Sequence, residues 1–143
     1  MRIFAKYCTR ALLLSAGILS CKLQPQDIQT VTPASVDSLK AVDSTVVLLD
    51  VRTKEEYDGE LGHLRGAILI PVQELEVRIG ELDSLKSRTI VVYCRSGGRS
   101  ARATALLQSK GFHALNMEGG IKRWNADLRP VVREQRQEKG SKK

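Results

Sequence analysis

The strongest chemical signal in this 143-residue chain is a run of seven residues, Cys94-Arg95-Ser96-Gly97-Gly98-Arg99-Ser100. A cysteine precedes two glycines and two arginines where an apolar run, Ile90-Val91-Val92-Tyr93, stops and a helical pattern begins near Ser100. Gly97 and Gly98 let the backbone take φ > 0 and curl tightly. A tight loop ahead of a helix turns successive N–H groups inward, making an anion nest backed by the positive helix end. Arg95 and Arg99 add positive charge around it. Such surroundings lower a thiol pKa from about 8.5 into roughly the 3.5–7.5 range. The pattern therefore predicts that Cys94 is largely thiolate at neutral pH, a nucleophile whose charge is held by backbone dipoles. The alternative, an ordinary buried thiol, calls for neither the glycines nor the arginines.

These residues need elements that place them. In an open α/β sheet, ligands gather beyond the carboxyl ends of the strands. Val46-Val47-Leu48-Leu49 is an apolar run ended by Asp50, and Ala67-Ile68-Leu69-Ile70 is another, closed by Pro71. Uninterrupted runs rich in β-branched residues suit strands covered on both faces, hence a parallel sheet. Thr32-Pro33 signals a helix start, followed by Val36, Leu39 and Val42. Leu75, Ile79 and Leu82 repeat at helical spacing, as do Ala103, Leu106 and Leu107 before a stop at Gly111. His113 to Met117 makes a fourth strand, and Gly119-Gly120 opens a last helix carrying Trp124, read as a core anchor. The fold class expected is α/β, an open parallel sheet with helices on both faces.

Charge is distributed unevenly. The chain has 23 Lys+Arg against 16 Asp+Glu, but residues 21–128 hold 14 of each sign. The excess lies at the two ends and the central body is neutral, so the overall charge is weak evidence for a nucleic-acid-binding domain, and no nucleic acid partner is expected. Arg2, Lys6 and Arg10 precede the apolar stretch Ala11 to Leu19, too short to span a bilayer but suited to a secretory signal over residues 1–20. Ile18-Leu19-Ser20-Cys21 resembles a bacterial lipobox, which implies lipid on Cys21, a tether over 21–27 and attachment to a membrane of the cell envelope or periplasm. An ordinary signal peptide cut near Ser20, or a short buried helix, is the alternative. Cys8 would leave with the signal and Cys21 would carry lipid, leaving Cys94 the one thiol of the mature chain. Residues 134–143 have no apolar side chain and read as a basic disordered tail.

Residues 46–133 resemble a single-domain rhodanese, a sulfurtransferase module, within a domain expected over 28–133. The matching pieces are Asp50-Val51-Arg52 with Glu55-Glu56-Tyr57, then Gly62-His63-Leu64-Arg65-Gly66-Ala67 leading to Ile70-Pro71. Tyr93 to Ser100, Glu118-Gly119-Gly120 with Trp124, and Pro130-Val131-Val132 complete them in order. Asp58 to Leu61 is a residue or two longer than usual before Gly62-His63. The overall closeness is to periplasmic one-domain thiosulfate sulfurtransferases.

The resemblance implies a two-step mechanism in which Cys94 takes a sulfur from a small anionic donor such as thiosulfate and passes it to cyanide or a thiol. It implies that the amides of residues 95–100 (Arg95, Ser96, Gly97, Gly98, Arg99, Ser100) cradle the transferred sulfur. Arg95 or Arg99 would attract the donor, although Arg95 could equally be solvated. No metal or organic cofactor is called for. Asp50 is expected to support the site by bonding loop backbone or a neighbouring base, and Arg52 to form a structural ion pair with Glu55 or Glu56. His63, in a turn before a strand, takes a structural role, and His63 and His113 with one thiol lack metal-ligand spacing.

Three other functions compete, of which a thiol-redox role would find no resolving cysteine in the mature chain. A phosphatase or arsenate reductase with a Cys-loop-Arg signature holds a tetrahedral anion with five residues between Cys and Arg. Four lie between Cys94 and Arg99, predicting a nest better matched to one sulfur atom. A non-catalytic binding module on the same fold would have no need of Cys94 and its glycines.

Overall fold

Thr32 and Pro33 start the first long helix in the way their chemistry favours. The Thr32 hydroxyl accepts the Ser35 amide at 3.2 Å, and Pro33 sits in the first turn, where a missing N–H costs nothing. In the computed structural model, which describes residues 28–133, this helix (α1, Pro33–Val42) lies between β1 (Thr30–Val31) and β2 (Val47–Asp50). There follow α2 (Lys54–Tyr57), β3 (Ile68–Leu69), α3 (Leu75–Arg78) with a 3-10 helix (Ile79–Leu85), β4 (Thr89–Tyr93), α4 (Gly98–Ser109), β5 (His113–Met117) and α5 (Gly120–Ala126).

The strands form one parallel sheet in the order β1-β5-β4-β2-β3. Along β4 the side chains alternate. Ile90 and Val92 face Leu75, Leu82, Leu107 and Phe112 on one side. Val91 and Tyr93 face Val36, Ile121 and Trp124 on the other. Both faces are thus covered by helices, which is why the central strands read as continuous apolar runs. The central pair β2 and β4 places Asp50 opposite Tyr93, so Asp50 and Cys94 emerge at the same end of the sheet.

Several elements differ from the sequence reading. β1 has two residues and joins β5 largely through its main chain (Asn116 N to Gln29 O and Glu118 N to Val31 O, both 2.9 Å), leaving no side-chain periodicity to read. The expected helix through Leu75, Ile79 and Leu82 is α-helical only to Arg78 and then tightens into the 3-10 turn, which contains Gly80, a poor helix former. α4 starts at Gly98 rather than Ser100, because Gly97 (φ +102°) makes the turn into the helix. The C-terminal segment folds back, with His63 and Val132 bonded through both main-chain groups and Trp124 Nε1–H donating to Pro130 O at 3.0 Å. The signal over 1–20, the lipid site Cys21, the tether over 21–27 and the tail over 134–143 lie outside the described residues. Among the described residues, no helix is long and apolar enough to cross a membrane.

Candidate active site

β4 delivers Cys94 to the floor of a loop whose shape Gly97 makes possible. The Cys94 residue is 1% exposed and packs with Val92, Ala103 and Leu107, as an inert thiol would. Its sulfur is nevertheless met by polar groups. The Gly97 amide donates to Sγ at 3.2 Å and the Ser100 hydroxyl at 3.4 Å. The same hydroxyl lies 3.0 Å from Gly97 O, and a single proton serves one of these acceptors at a time. An ionised sulfur is the stronger acceptor and draws that proton toward itself. Burial pushes the Cys94 thiol up. The Ser100 hydroxyl and the amides of Ser100, Ser96 and Gly97 outweigh it, leaving the pKa below that of an ordinary thiol.

This shift has a measurable consequence. The rate of Cys94 alkylation by a neutral iodoacetamide-type reagent is expected to rise with pH through a midpoint below the ordinary thiol value of about 8.5. Ser100→Ala removes one donor to the thiolate and should move the midpoint upward. A midpoint at or above the free-thiol value in the unsubstituted protein would contradict the charge-stabilising role of the loop.

The loop is backed by the glycine pair of the next strand–helix turn. The Ile121 amide donates to Cys94 O at 2.9 Å and the Lys122 amide to Arg95 O at 3.1 Å, which locks α5 onto the loop. Gly120 (φ +57°) sits so close that a Cβ there would overlap the carbonyl groups of Cys94 and Arg95. Gly119-Gly120 therefore does more than open a helix.

The two loop arginines have different surroundings. Both terminal nitrogens of Arg99 donate to Glu56, Nη1 to Oε2 at 2.6 Å and Nη2 to Oε1 at 2.7 Å. This pair holds the Glu56 carboxyl below its usual range and the Arg99 guanidinium above its own, with the nearby Cys94 sulfur adding to the latter. Arg95 is exposed, and its guanidinium makes no ion pair or hydrogen bond among the described residues. Ser96 and Gly98 are exposed, whereas Gly97 and Ser100 are buried.

At the end of the neighbouring strand β2, Asp50 and Arg52 are both fully buried. Arg52 Nε reaches Asp50 Oδ1 and Oδ2 at 2.9 and 3.0 Å, and Nη2 reaches Oδ2 at 2.6 Å. Nη1 also donates to Glu56 O at 3.0 Å and Nη2 to Gly62 O at 2.8 Å. This corrects the sequence reading. Arg52 pairs with the carboxylate of Asp50 rather than with that of Glu55 or Glu56, because the Glu56 side chain turns outward to Arg99 and offers Arg52 only its backbone. Of the two partners open to Asp50, it takes the neighbouring base, and its Oδ1 also accepts the Arg52 amide at 3.0 Å.

Two residues named in the sequence motifs take roles that were not expected. Glu56 is the partner of Arg99, placed by a capping box in which Thr53 Oγ1 accepts the Glu56 amide and the Glu56 carboxylate accepts the Thr53 amide. The Thr53-Lys54-Glu55-Glu56 pattern carried the signal of the capping box, though not of its reach to Arg99. Tyr93, fully buried, accepts the Leu64 amide on its hydroxyl at 3.1 Å, and burial drives its phenol pKa well up, so it stays neutral. His63 stacks on Tyr57 with centroids 3.7 Å apart, and its Nδ1 lies 3.2 Å from Tyr57 O. Among the described residues, no group of three or more His, Cys, Asp or Glu is placed to hold a metal ion.

A family model described as a rhodanese-like domain matches residues 32–127. The chain belongs to the rhodanese-like family. A curated sulfurtransferase of Allochromatium vinosum is 38% identical over 88 residues, spanning 61% of this chain and 78% of that one. The thiosulfate sulfurtransferase PspE of Escherichia coli is 38% identical over 74 residues, 52% of this chain and 69% of that one. Among solved structures, a rhodanese-related protein of Thermoplasma volcanium superposes with a TM-score of 0.67 at 29% identity, covering 74% of this chain and 99% of that one. These likenesses link this rhodanese-like chain to sulfurtransferases at the level of the family.

Proposed function

We propose that the protein is a sulfurtransferase that carries a sulfane sulfur on Cys94, taking it from thiosulfate or a similar anionic donor. The observation that carries this reading is the environment of Sγ, bonded by the Gly97 amide and the Ser100 hydroxyl at the carboxyl end of β4. The Cys94 thiolate attacks the outer sulfur of the donor. The donor's S–S bond breaks, sulfite leaves with the bonding electron pair, and Cys94 holds a persulfide. The loop amides then face the outer sulfur. In the second step a thiophilic acceptor, cyanide or a thiolate, attacks that sulfur and Cys94 departs as thiolate.

The exposed Arg95 draws the anionic donor in. Arg99, held by Glu56, adds positive potential beside the sulfur, and the buried Asp50–Arg52 pair supports the loop through Glu56, whose carbonyl accepts from Arg52. The name of the Escherichia coli relative, a thiosulfate sulfurtransferase, supports thiosulfate as the donor. The order of cations, apolar stretch and Cys21 near the N-terminus supports a lipid-anchored site of action in the cell envelope. In a bacterial host, Cys21→Ala should then move the protein from the membrane to the soluble fraction. Unchanged fractionation would remove the anchor from the proposal.

Intact mass spectrometry tests the central step. After incubation with thiosulfate the purified protein should gain about one sulfur atom per chain, lose it on adding cyanide, and gain nothing as Cys94→Ala. A chain that gains no mass from thiosulfate or from polysulfide would overturn the reading.

A further inference from the structure

Beside the loop lies a second feature, a cavity of about 170 Å³ lined by Arg52, Glu56, Gly59, Glu60, Leu61 and Arg95. Two of its four charged groups are already occupied. Arg52 is bound to Asp50 and to two carbonyls, and the Glu56 carboxylate is bound to Arg99. The other two, the Arg95 guanidinium and the Glu60 carboxylate, are opposite in charge and border the same small space. They nevertheless form no ion pair with each other or with any described residue. Arg95 directly follows Cys94, and Glu56 grips the arginine that lies beside the Cys94 sulfur, so the cavity abuts the wall of the thiol loop.

We propose that this cavity is the acceptor subsite and that it takes a small zwitterionic thiol, a single amino acid bearing a free –SH. The inference rests on the sulfurtransferase reading above and names the second substrate of the same site. Arg95 would bind the acceptor's carboxylate with its planar fork, and Glu60 would bind its ammonium. Pockets for drug-sized ligands measure roughly 300–1,000 Å³, so this smaller space fits one amino acid better than a peptide thiol. The order of events lets Arg95 serve twice, because the donor's sulfite has left before the acceptor arrives. The acceptor's thiol loses its proton to solvent, and its sulfur attacks the outer sulfur of the Cys94 persulfide. The persulfide bond breaks with its electron pair returning to Cys94, and the acceptor leaves as its own persulfide, so no external oxidant or reductant enters.

The test compares transfer rates from thiosulfate-loaded protein to cysteine, to cysteamine (no carboxylate) and to 3-mercaptopropionate (no ammonium), with cyanide as a reference acceptor. Each thiol is compared with itself in wild type and in Glu60→Gln, which cancels differences in intrinsic nucleophilicity. Loss of an exposed charge pair predicts a threefold to fivefold lower kcat/KM, about the size such pairs support, for cysteine and for cysteamine. The 3-mercaptopropionate value should hold or rise. A Glu60→Gln effect equal on all three thiols, or absent from all three, overturns the acceptor assignment. Failure of the wild-type protein to pass sulfur even to cyanide would instead strike the sulfurtransferase reading beneath it.

Discussion

Cys94→Ser is expected to retain the fold and to lose sulfur transfer by roughly three orders of magnitude or more, the scale seen when a covalent nucleophile is removed. Serine is close in size to cysteine and can accept the same Gly97 amide, so the packing against Val92, Ala103 and Leu107 should survive. Chemistry should not. An alcohol in this loop keeps its proton near neutral pH, and oxygen cannot carry a sulfane sulfur as a stable persulfide does. Thiocyanate formation from thiosulfate and cyanide measures the loss, and an unchanged unfolding midpoint separates it from collapse of the domain. Transfer persisting at the wild-type rate would mean that sulfur travels by another group.

The second large effect concerns stability. Asp50→Ala should cost about 3–5 kcal/mol, the penalty for stripping one partner from a buried ion pair. Arg52 is fully buried, and Asp50 accepts from its amide, Nε and Nη2. Without the carboxylate, a guanidinium sealed from water keeps only the carbonyls of Glu56 and Gly62. Set against a typical stability of about 5–15 kcal/mol, this is a large fraction of the whole. Urea unfolding would measure it. The double variant Asp50→Ala/Arg52→Met should recover part of the loss, because it removes the stranded charge along with its partner. A double variant less stable than Asp50→Ala would show that Arg52 stabilises mainly through the two carbonyls it ties together.

The two halves of the site were legible to different degrees. Cys94 at the end of an apolar run, with Gly97 and Gly98 after it, could be read directly, because a buried parallel strand and a tight helix-entry loop each leave a local imprint. β1 left none, since its two residues contribute main-chain bonds to β5. The partner of Arg52 could not be assigned from spacing. Asp50, Glu55 and Glu56 all lie within reach along the chain, and the choice depended on α2 turning the Glu56 side chain toward Arg99, 43 residues away.

By itself, the sequence determined the parallel α/β arrangement, the order of its main strands and helices, and the placement of Cys94 at a strand's carboxyl end. These follow from hydrophobic periodicity and glycine conformation, which act over a few neighbouring residues. Tertiary structure alone decided that α5 would press Gly120 against the Cys94 loop, that Glu56 would take Arg99, and that Arg95 and Glu60 would share a cavity without pairing. Each of these joins residues distant in sequence, and such contacts depend on how the packed layers direct side chains, which no local pattern records.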